Sequence, residues 1–255
     1  MELSELVSRY DERLDPDAYA DVDASANGLQ VGPDQATVTH VAFAVDAGVA
    51  TIERAADAGA DALVTHHGVV FGGLDHVTGP EYDRIEALIE NDLALYVSHL
   101  PLDGQQELGN AAGLADLLEL GDREPFGTVG GAYVGQRGRR HDSLTVEGIA
   151  ETLEKSLDTG DRGIQTFAFG PATIEDVAIV TGSGVDWLDD AAESGADVLI
   201  TGEGKQHAYH LARELGINLV LAGHYATETF GVRNLQSLAE DWALETTFID
   251  EPTGL

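Results

Sequence analysis

Four apolar runs of the chain are each followed by residues that can bind metal ions. The runs and the residues after them are DALVT with His66 and His67, LALYVS with His99 and Asp103, DVLIT with Glu203, and LVLAG with His224 and Glu228. Imidazole and carboxylate together suit Zn, Mn, Fe, Ni or Co, and the chain has no Cys that could supply a thiolate. This set could serve two divalent metal ions, which together can hold a hydroxide as a nucleophile near neutral pH.

Spacing suggests how these residues could share two ions. The adjacent His66 and His67 could each reach a different ion, and Asp103 or Glu228 could bridge because a carboxylate has two oxygens. His224 and Glu228 are four residues apart, which places both on one helical face if a helix begins there.

Several other side chains allow more than one interpretation. His99 aligns with His224 in an internal repeat, but it could instead support Asp103 as the ligand. Glu203 or His207 could shuttle a proton, and His207 could equally bind substrate or lie on the surface. Isolated histidines are usually capped or exposed, which is the prediction for His40, His76 and His141.

The internal repeat indicates which elements position these residues. Residues 38–68 align with residues 174–204 at an offset of 136 without a gap, and 12 of 31 positions are identical. A weaker second pair, residues 91–103 and 216–228, aligns at an offset of 125. Two related lobes are therefore predicted.

Each repeat unit is predicted to alternate strands with helices. The expected strands are VAFAV, DALVT and LALYVS in the first unit and VAIVT, DVLIT and LVLAG in the second. Gly59 and Gly195 suit the ends of two helices. The expected helices cover residues 49–58, 81–91, 185–194 and 205–215. This alternation predicts an α/β fold.

The sequence also predicts how the lobes divide. We place a boundary near residue 128, which gives lobes 1–128 and 129–255, and we expect a further helix at about 229–242. Residues 127–170 are rich in Gly and polar residues, and they connect the lobes through a helix near 145–157. Ligands of open α/β sheets lie beyond the carboxyl ends of the strands. Two lobes folded face to face would bring the seven residues around one crevice.

The chain is strongly acidic. Its 255 residues include 46 Asp and Glu against 13 Lys and Arg, a net charge of −33. Such a surface repels nucleic-acid backbones and anionic membranes, so neither is expected as a partner. The negative charge could be that of an ordinary acidic protein, or it could form a partner surface for cations. Adaptation to a salt-rich cytoplasm is favoured, because the Debye length is only about 3 Å at molar salt.

Composition also bears on location. The N-terminal residues lack the basic and apolar regions of a signal peptide, and no run approaches the roughly 20 apolar residues of a membrane span. Together with the absence of Cys, this favours a cytoplasmic location. The salt hypothesis predicts a melting temperature that rises with KCl.

Two glycine-containing segments are candidates for tight turns. NGLQVG, beginning at Asn27, lacks the spacing of a phosphate-binding loop. TGSG, beginning at Thr181, could cradle a phosphate at a helix N-terminus, although a plain turn between a strand and a helix is favoured. No serine nucleophile motif is present in the sequence.

Five motifs resemble, in order, those of the Ngg-interacting-factor-three-like family. They are NGLQVG, LVTHHGVVF, SHLPLD, ITGEGKQH and AGHYATETFGV. The resemblance spans nearly the whole chain, and bacterial members of that family often carry the name GTP cyclohydrolase I type 2 homologue.

The resemblance implies two related α/β lobes with a dinuclear metal site between them, assembled as a toroidal homohexamer. Glu203 and His99 match positions that neighbour the family ligands. The connector is too short for the inserted domain of some relatives, so a compact form is expected. The family ligands match His66, His67, Asp103, His224 and Glu228.

Two functions follow from the resemblance and the residues together. The first is a metal-dependent hydrolase acting on a nucleotide or a related small metabolite. The alternative is a non-catalytic protein that binds or traffics metal, or acts in regulation or assembly. Nucleic-acid binding through a ring cavity is a weaker third hypothesis, which the net charge of −33 opposes.

Overall fold

A computed structural model describes residues 1–33 and 35–255 of the chain. The strands are β1 (Gly28–Val31), β2 (His40–Asp46), β3 (Ala62–His67), β4 (Ala94–Val97), β5 (Gly121–Val129), β6 (Ala132–Leu144), β7 (Gln165–Phe167), β8 (Ile174–Ile179), β9 (Val198–Thr201), β10 (Asn218–Leu221) and β11 (Glu245–Phe248). The helices are α1 (Leu3–Leu14), α2 (Val49–Asp57), α3 (Pro80–Glu90), α4 (Leu100–Gly104), α5 (Asn110–Leu117), α6 (Val146–Ser156), α7 (Leu188–Glu193), α8 (Gln206–Leu215), α9 (His224–Thr227) and α10 (Thr229–Asp241).

The chain divides into two compact units. The first unit comprises Met1–Leu102 and Gly231–Glu251, and the second comprises Asp103–Phe230 and Pro252–Leu255. This division differs from the expected boundary near residue 128. The reason is that α5 contributes buried side chains to the core of the second unit, while β11 pairs with β2 in the first.

The first unit contains a five-stranded sheet in the order β1-β4-β3-β2-β11. Strands β11, β2, β3 and β4 are parallel, and β1 pairs antiparallel with β4 at the edge. The prediction of a tight turn at NGLQVG is therefore wrong, because this segment supplies β1 and satisfies the backbone groups of β4. The core of the first unit is built from buried aliphatic residues that include Ala42, Ile52, Leu63 and Leu95.

The second unit contains a six-stranded sheet in the order β5-β6-β8-β9-β10-β7. Strands β8, β9 and β10 are parallel, and β5, β6 and β7 add antiparallel partners. The expected helix near 145–157 is present as α6. The predicted connector is more than a link, because it also supplies most of the β5–β6 hairpin and all of β7.

The repeat in the sequence is also a repeat in structure. Asp61, between α2 and β3, accepts hydrogen bonds from the backbone N–H groups of Thr39 at 2.7 Å and His40 at 3.0 Å. Asp197, its counterpart between α7 and β9, accepts equivalent bonds from Glu175 and Asp176 at 2.8 and 3.0 Å. Both aspartates thus tie the start of one strand to the start of the next.

The helix ends follow the prediction with one difference. Gly59 and Gly195 adopt positive φ angles of 75° and 82° just after α2 and α7, as expected for helix stops. Helix α7 is shorter than predicted, because residues 184–187 form a 3₁₀ turn in which Gly184 donates its N–H to Thr201 Oγ1. In the described residues, no helix combines the length and apolarity needed to cross a membrane.

Candidate metal centre

Three histidine rings of the first unit converge beyond the carboxyl ends of two parallel strands. His66 and His67 end β3, and His99 follows β4. The ring centroids are 4.6 Å apart for His66 and His67, 5.1 Å for His66 and His99, and 5.5 Å for His67 and His99. One ring nitrogen of each lies within 4.8 Å of the other two. Parallel pairing of β3 with β4 accounts for the convergence.

Each of these rings is oriented through its Nδ1 atom. Nδ1 of His66 lies 2.9 Å from the carbonyl oxygen of Ser98, Nδ1 of His67 lies 2.8 Å from Asp46 Oδ1, and Nδ1 of His99 lies 2.8 Å from Asp23 Oδ1. A carbonyl or carboxylate oxygen can only accept, so Nδ1 carries the proton in each ring. In the neutral rings the lone pair is then on Nε2, the arrangement typical of metal-ligating histidines.

A polar cluster holds the third ring in place. Asp23 accepts hydrogen bonds from the His99 ring, the Asn27 amide and the backbone N–H of Ser25. Burial acts to raise the pKa of Asp23, but these hydrogen bonds and the nearby imidazole outweigh it and lower the pKa. Asn27 Oδ1 in turn accepts from the backbone N–H of His99 at 2.8 Å.

The sequence predictions do not identify the aspartates behind these rings. Asp46 carries a usable signal, since it ends β2 and lies opposite His67 in the parallel register of β2 and β3. Asp23 carries none, because it contacts His99 across 76 residues of sequence.

In the second unit one histidine lies between two carboxylates. Nδ1 of His224 is 3.1 Å from Glu203 Oε1, and its Nε2 is 3.1 Å from Glu228 Oε1. Burial alone would lower the pKa of His224, but the two carboxylates raise it from 6.5 to about 9. A helix does begin at His224, as α9, and it places Glu228 beside the ring as the spacing predicts.

The same unit supplies a second buried carboxylate. Asp103 is 7% exposed and Glu228 is 3% exposed. One carboxylate oxygen of each lies within 4.8 Å of the other. Asp103 Oδ1 accepts from Asn110 Nδ2 at 2.8 Å and from Thr181 Oγ1 at 3.1 Å. Two buried carboxylates this close repel each other unless a cation or a proton lies between them.

Two glycines leave room for these side chains. A Cβ atom at Gly182, which has a φ of 59°, would lie 2.2 Å from Glu228 Oε1, and one at Gly202 would lie 2.7 Å from the Cα of His224. The space at the TGSG turn is thus filled by a carboxylate, which would repel a phosphate. The plain-turn interpretation fits this better than a phosphate cradle.

The two residues predicted to shuttle protons differ in placement. Glu203 contacts His224 and accepts a hydrogen bond from Ser183 Oγ. The Ser183 bond lowers the pKa of Glu203, burial opposes it, and His224 adds to the lowering. His207, on the first turn of α8, is 58% exposed and lies 4.0 Å from Asp186. The structure therefore gives His207 a surface partner.

The donor sets of both units fit divalent transition metals. The first unit offers three imidazole nitrogens, and the second offers one imidazole and two buried carboxylates. Such N/O donors suit Zn, Mn, Fe, Ni or Co and carry no thiolate. Within each unit, the structure brings together the residues that the sequence predicts. It places His99, which the sequence analysis gives as a ligand or a supporting residue, beside His66 and His67.

The chain is similar to known proteins over its whole length. The family model Duf34/NIF3 (NGG1p interacting factor 3) matches residues 1–254. A Halobacterium salinarum protein named GTP cyclohydrolase 1 type 2 homolog is 54% identical over 255 residues, which is 100% of both chains. A crystal structure from Thermus thermophilus is similar at 36% identity, with a TM-score of 0.89 and 100% of both chains covered. Reduced HcgD from Methanocaldococcus jannaschii is similar at 27% identity, with a TM-score of 0.84 and 98% of both chains covered. The chain belongs to the Duf34/NIF3 family.

Proposed function

We propose that this protein is a metal-dependent hydrolase that acts on a nucleotide or a related small metabolite. The observation that carries the proposal is the set of three convergent imidazoles, each oriented through Nδ1 by a carbonyl or carboxylate oxygen. Rings held in this way have their Nε2 lone pairs ready for a cation, so little conformational entropy is lost on binding.

We propose that both units contribute ligands to one dinuclear centre. His66 and His67 come from the first unit, and Asp103, His224 and Glu228 come from the second. His99 is a third imidazole donor or holds the other two rings in place. The close pair of buried carboxylates supports a cation at this point, since two such groups are stable together when positive charge offsets them.

The chain's own residues have separate tasks in this proposal. Bound divalent ions would supply Lewis acidity and lower the pKa of a water molecule. Glu203 keeps the Nδ1 proton of His224 in place. Its side chain is 44% exposed, so it can also accept a proton from water and pass it to solvent. His207 is a second candidate for that transfer.

The class of substrate is suggested by the relatives. Several are named GTP cyclohydrolase 1 type 2 homolog, which makes GTP and related nucleotides the first compounds to test. A screen of metabolites with protein reconstituted with Zn, Mn or Fe would address substrate and reaction together.

Metal content and turnover of three variants test the proposal. We expect about two ions per chain in the parent protein and a loss of at least about 1,000-fold in turnover for His67→Ala and Glu228→Gln, with the fold retained. His76→Ala is the control, because His76 is exposed and its ring contacts the carbonyl of the neighbouring Asp75. Less than one ion per chain after reconstitution would contradict the dinuclear centre. Bound, exchangeable metal without turnover on a broad panel would favour metal trafficking instead.

The proposed assembly is a toroidal homohexamer, as the family resemblance implies. Light scattering in molar KCl should give a mass roughly six times the 26.9 kDa of one chain. A monomeric mass under those conditions would refute it.

A further inference from the structure

A cavity of the second unit lies beside α8 and has a volume of about 450 Å³. We name it the α8 cavity. It is bounded by β7, β10 and the start of α8, and its lining includes Arg162, Phe167, Glu203, Lys205, Tyr209 and Leu221. Sites for small molecules usually measure roughly 300–1,000 Å³, so this cavity has the size of a binding site.

Two cations line this cavity in a chain that has few of them. Arg162 forms no ion pair with any of the described residues, whereas Arg123, Arg137, Arg139 and Arg140 each pair with a carboxylate. Lys205 contacts Asp186 and has further N–H donors to offer. The N–H groups of the first turn of α8 add positive potential at the same place. The cavity can therefore attract an anion despite the net charge of the chain.

Another part of the cavity wall is apolar. The Tyr209 ring meets Phe167 edge-on with centroids 5.6 Å apart and meets Phe169 edge-on at 5.1 Å. Leu219 and Leu221 of β10 also line the cavity. Aromatic rings in contact with one another form a stiff apolar surface that suits a planar ring.

One end of the cavity touches the candidate metal centre. Glu203 lines the cavity and contacts His224 Nδ1, and Gly223, which also lines it, immediately precedes His224. Glu203 repels an anionic group, so the anion belongs with Arg162 and Lys205 and the uncharged part of the ligand belongs toward Glu203.

We infer that the α8 cavity binds a small molecule in which a sugar joins a phosphate monoester to a planar ring system, as in a nucleoside monophosphate. The phosphate is held by Arg162 and Lys205, and the ring lies against Phe167 and Tyr209. This inference deepens the proposed function and rests on it for the link to catalysis, but binding itself requires only the second unit's own side chains.

Calorimetric titration of the metal-free protein tests the site. The probes are GMP, guanosine and ribose 5-phosphate, in KCl sufficient to keep the chain folded by circular dichroism. We expect GMP to bind with one molecule per chain, and guanosine and ribose 5-phosphate to bind at least about tenfold more weakly, because each lacks one of the two recognised parts.

Variants locate the binding. Arg162→Ala should weaken GMP at least about tenfold while leaving guanosine unchanged. Arg213→Ala is the matched control, since Arg213 is exposed on α8 and lies outside the lining. Tyr209→Leu should weaken GMP and guanosine without changing ribose 5-phosphate.

Several outcomes would overturn the inference. These are equal affinities for GMP and guanosine, equal losses in Arg162→Ala and Arg213→Ala, or no binding of GMP by folded protein. Metal-dependent turnover without GMP binding by the metal-free form would remove this site and leave the hydrolase proposal standing. GMP binding without turnover on any substrate would support this binding site and contradict the hydrolase proposal.

Discussion

The ends of corresponding strands in the two units carry opposite chemistry. At the end of β3 the first unit has His66 and His67, and the aligned positions in the second unit are Gly202 and Glu203. The backbone devices are the same, because Asp61 and Asp197 tie equivalent strands in equivalent ways. The scaffold thus fixes where a side chain emerges, and the residue type then decides which kind of donor is offered.

One device is common to both units. His99 and His224 are aligned by the weaker repeat, and Nδ1 of each contacts a carboxylate, Asp23 Oδ1 at 2.8 Å and Glu203 Oε1 at 3.1 Å. The carboxylate comes from a different part of each unit. The two units therefore share a histidine ring that is oriented by a carboxylate, but they do not share the chain segment that supplies this carboxylate.

A third position explains how the second unit accommodates its carboxylates. Asp46, which orients His67, aligns with Gly182. A side chain at Gly182 would collide with Glu228. Where the first unit places a supporting carboxylate, the second has only a glycine, so that the carboxylate of Glu228, just after α9, can enter.

The largest expected effect comes from a substitution that fills the space next to Glu228. Gly182→Ala should lower the free energy of unfolding by about 3 kcal/mol, because it combines a positive φ with a collision against Glu228. Gly195→Ala is the control, since Gly195 also has a positive φ but a Cβ atom added there would meet no atom within 4 Å; its cost should be about 1 kcal/mol. Urea unfolding at fixed KCl measures both, and equal losses would show that Glu228 can move aside.

The second prediction uses the protonation of His224. In the metal-free protein its pKa of about 9 means that a cation must displace a proton at neutral pH. The affinity of the second unit's donors should then rise about tenfold per pH unit between about pH 7 and 9 and level off above. Glu203→Gln removes one of the two carboxylates, so it should lower the pKa and move the plateau to lower pH. Histidine NMR of the metal-free protein and chelator competition measure the two quantities, and a flat affinity profile would contradict the assignment.

The third prediction concerns the carboxylate behind His67. Asp46→Ala should weaken metal binding about 10- to 100-fold, because the ring loses the acceptor that fixes its orientation. Asp75→Ala, at an exposed position, controls for the loss of one negative charge. Chelator competition measures the affinity, and equal values for the two variants would mean that His67 is held by other contacts.

The smallest expected effect concerns the aspartate that ties neighbouring strands together in each unit. Asp61→Ala and Asp197→Ala each remove hydrogen bonds to two backbone N–H groups and should each cost about 1–2 kcal/mol of unfolding free energy. Asp61 also accepts from Thr39 Oγ1, so its loss should be slightly larger. Losses that differ by more than about 2 kcal/mol would show that the two devices are not equivalent.

Local patterns account for most of the elements. The apolar runs and the glycine stops predict β2, α2, β3, α3 and β4 and their counterparts β8, β9, α8 and β10 to within a few residues. They do so because period and helix ends are properties of neighbouring residues. The edge strands β1, β5, β7 and β11 are all absent from the prediction, since an edge strand is defined by the neighbour that it joins.

The sequence by itself determined the family, the repeat and the candidate donor side chains, because these depend on residue type and on spacing along the chain. Only the tertiary structure decided which carboxylate supports which imidazole. Asp23 reaches His99 across 76 residues and Asp46 reaches His67 across 21, and β11 joins β2 from the far end of the chain. Such pairings arise when sheet formation brings distant strand ends to one edge, and no local pattern encodes them.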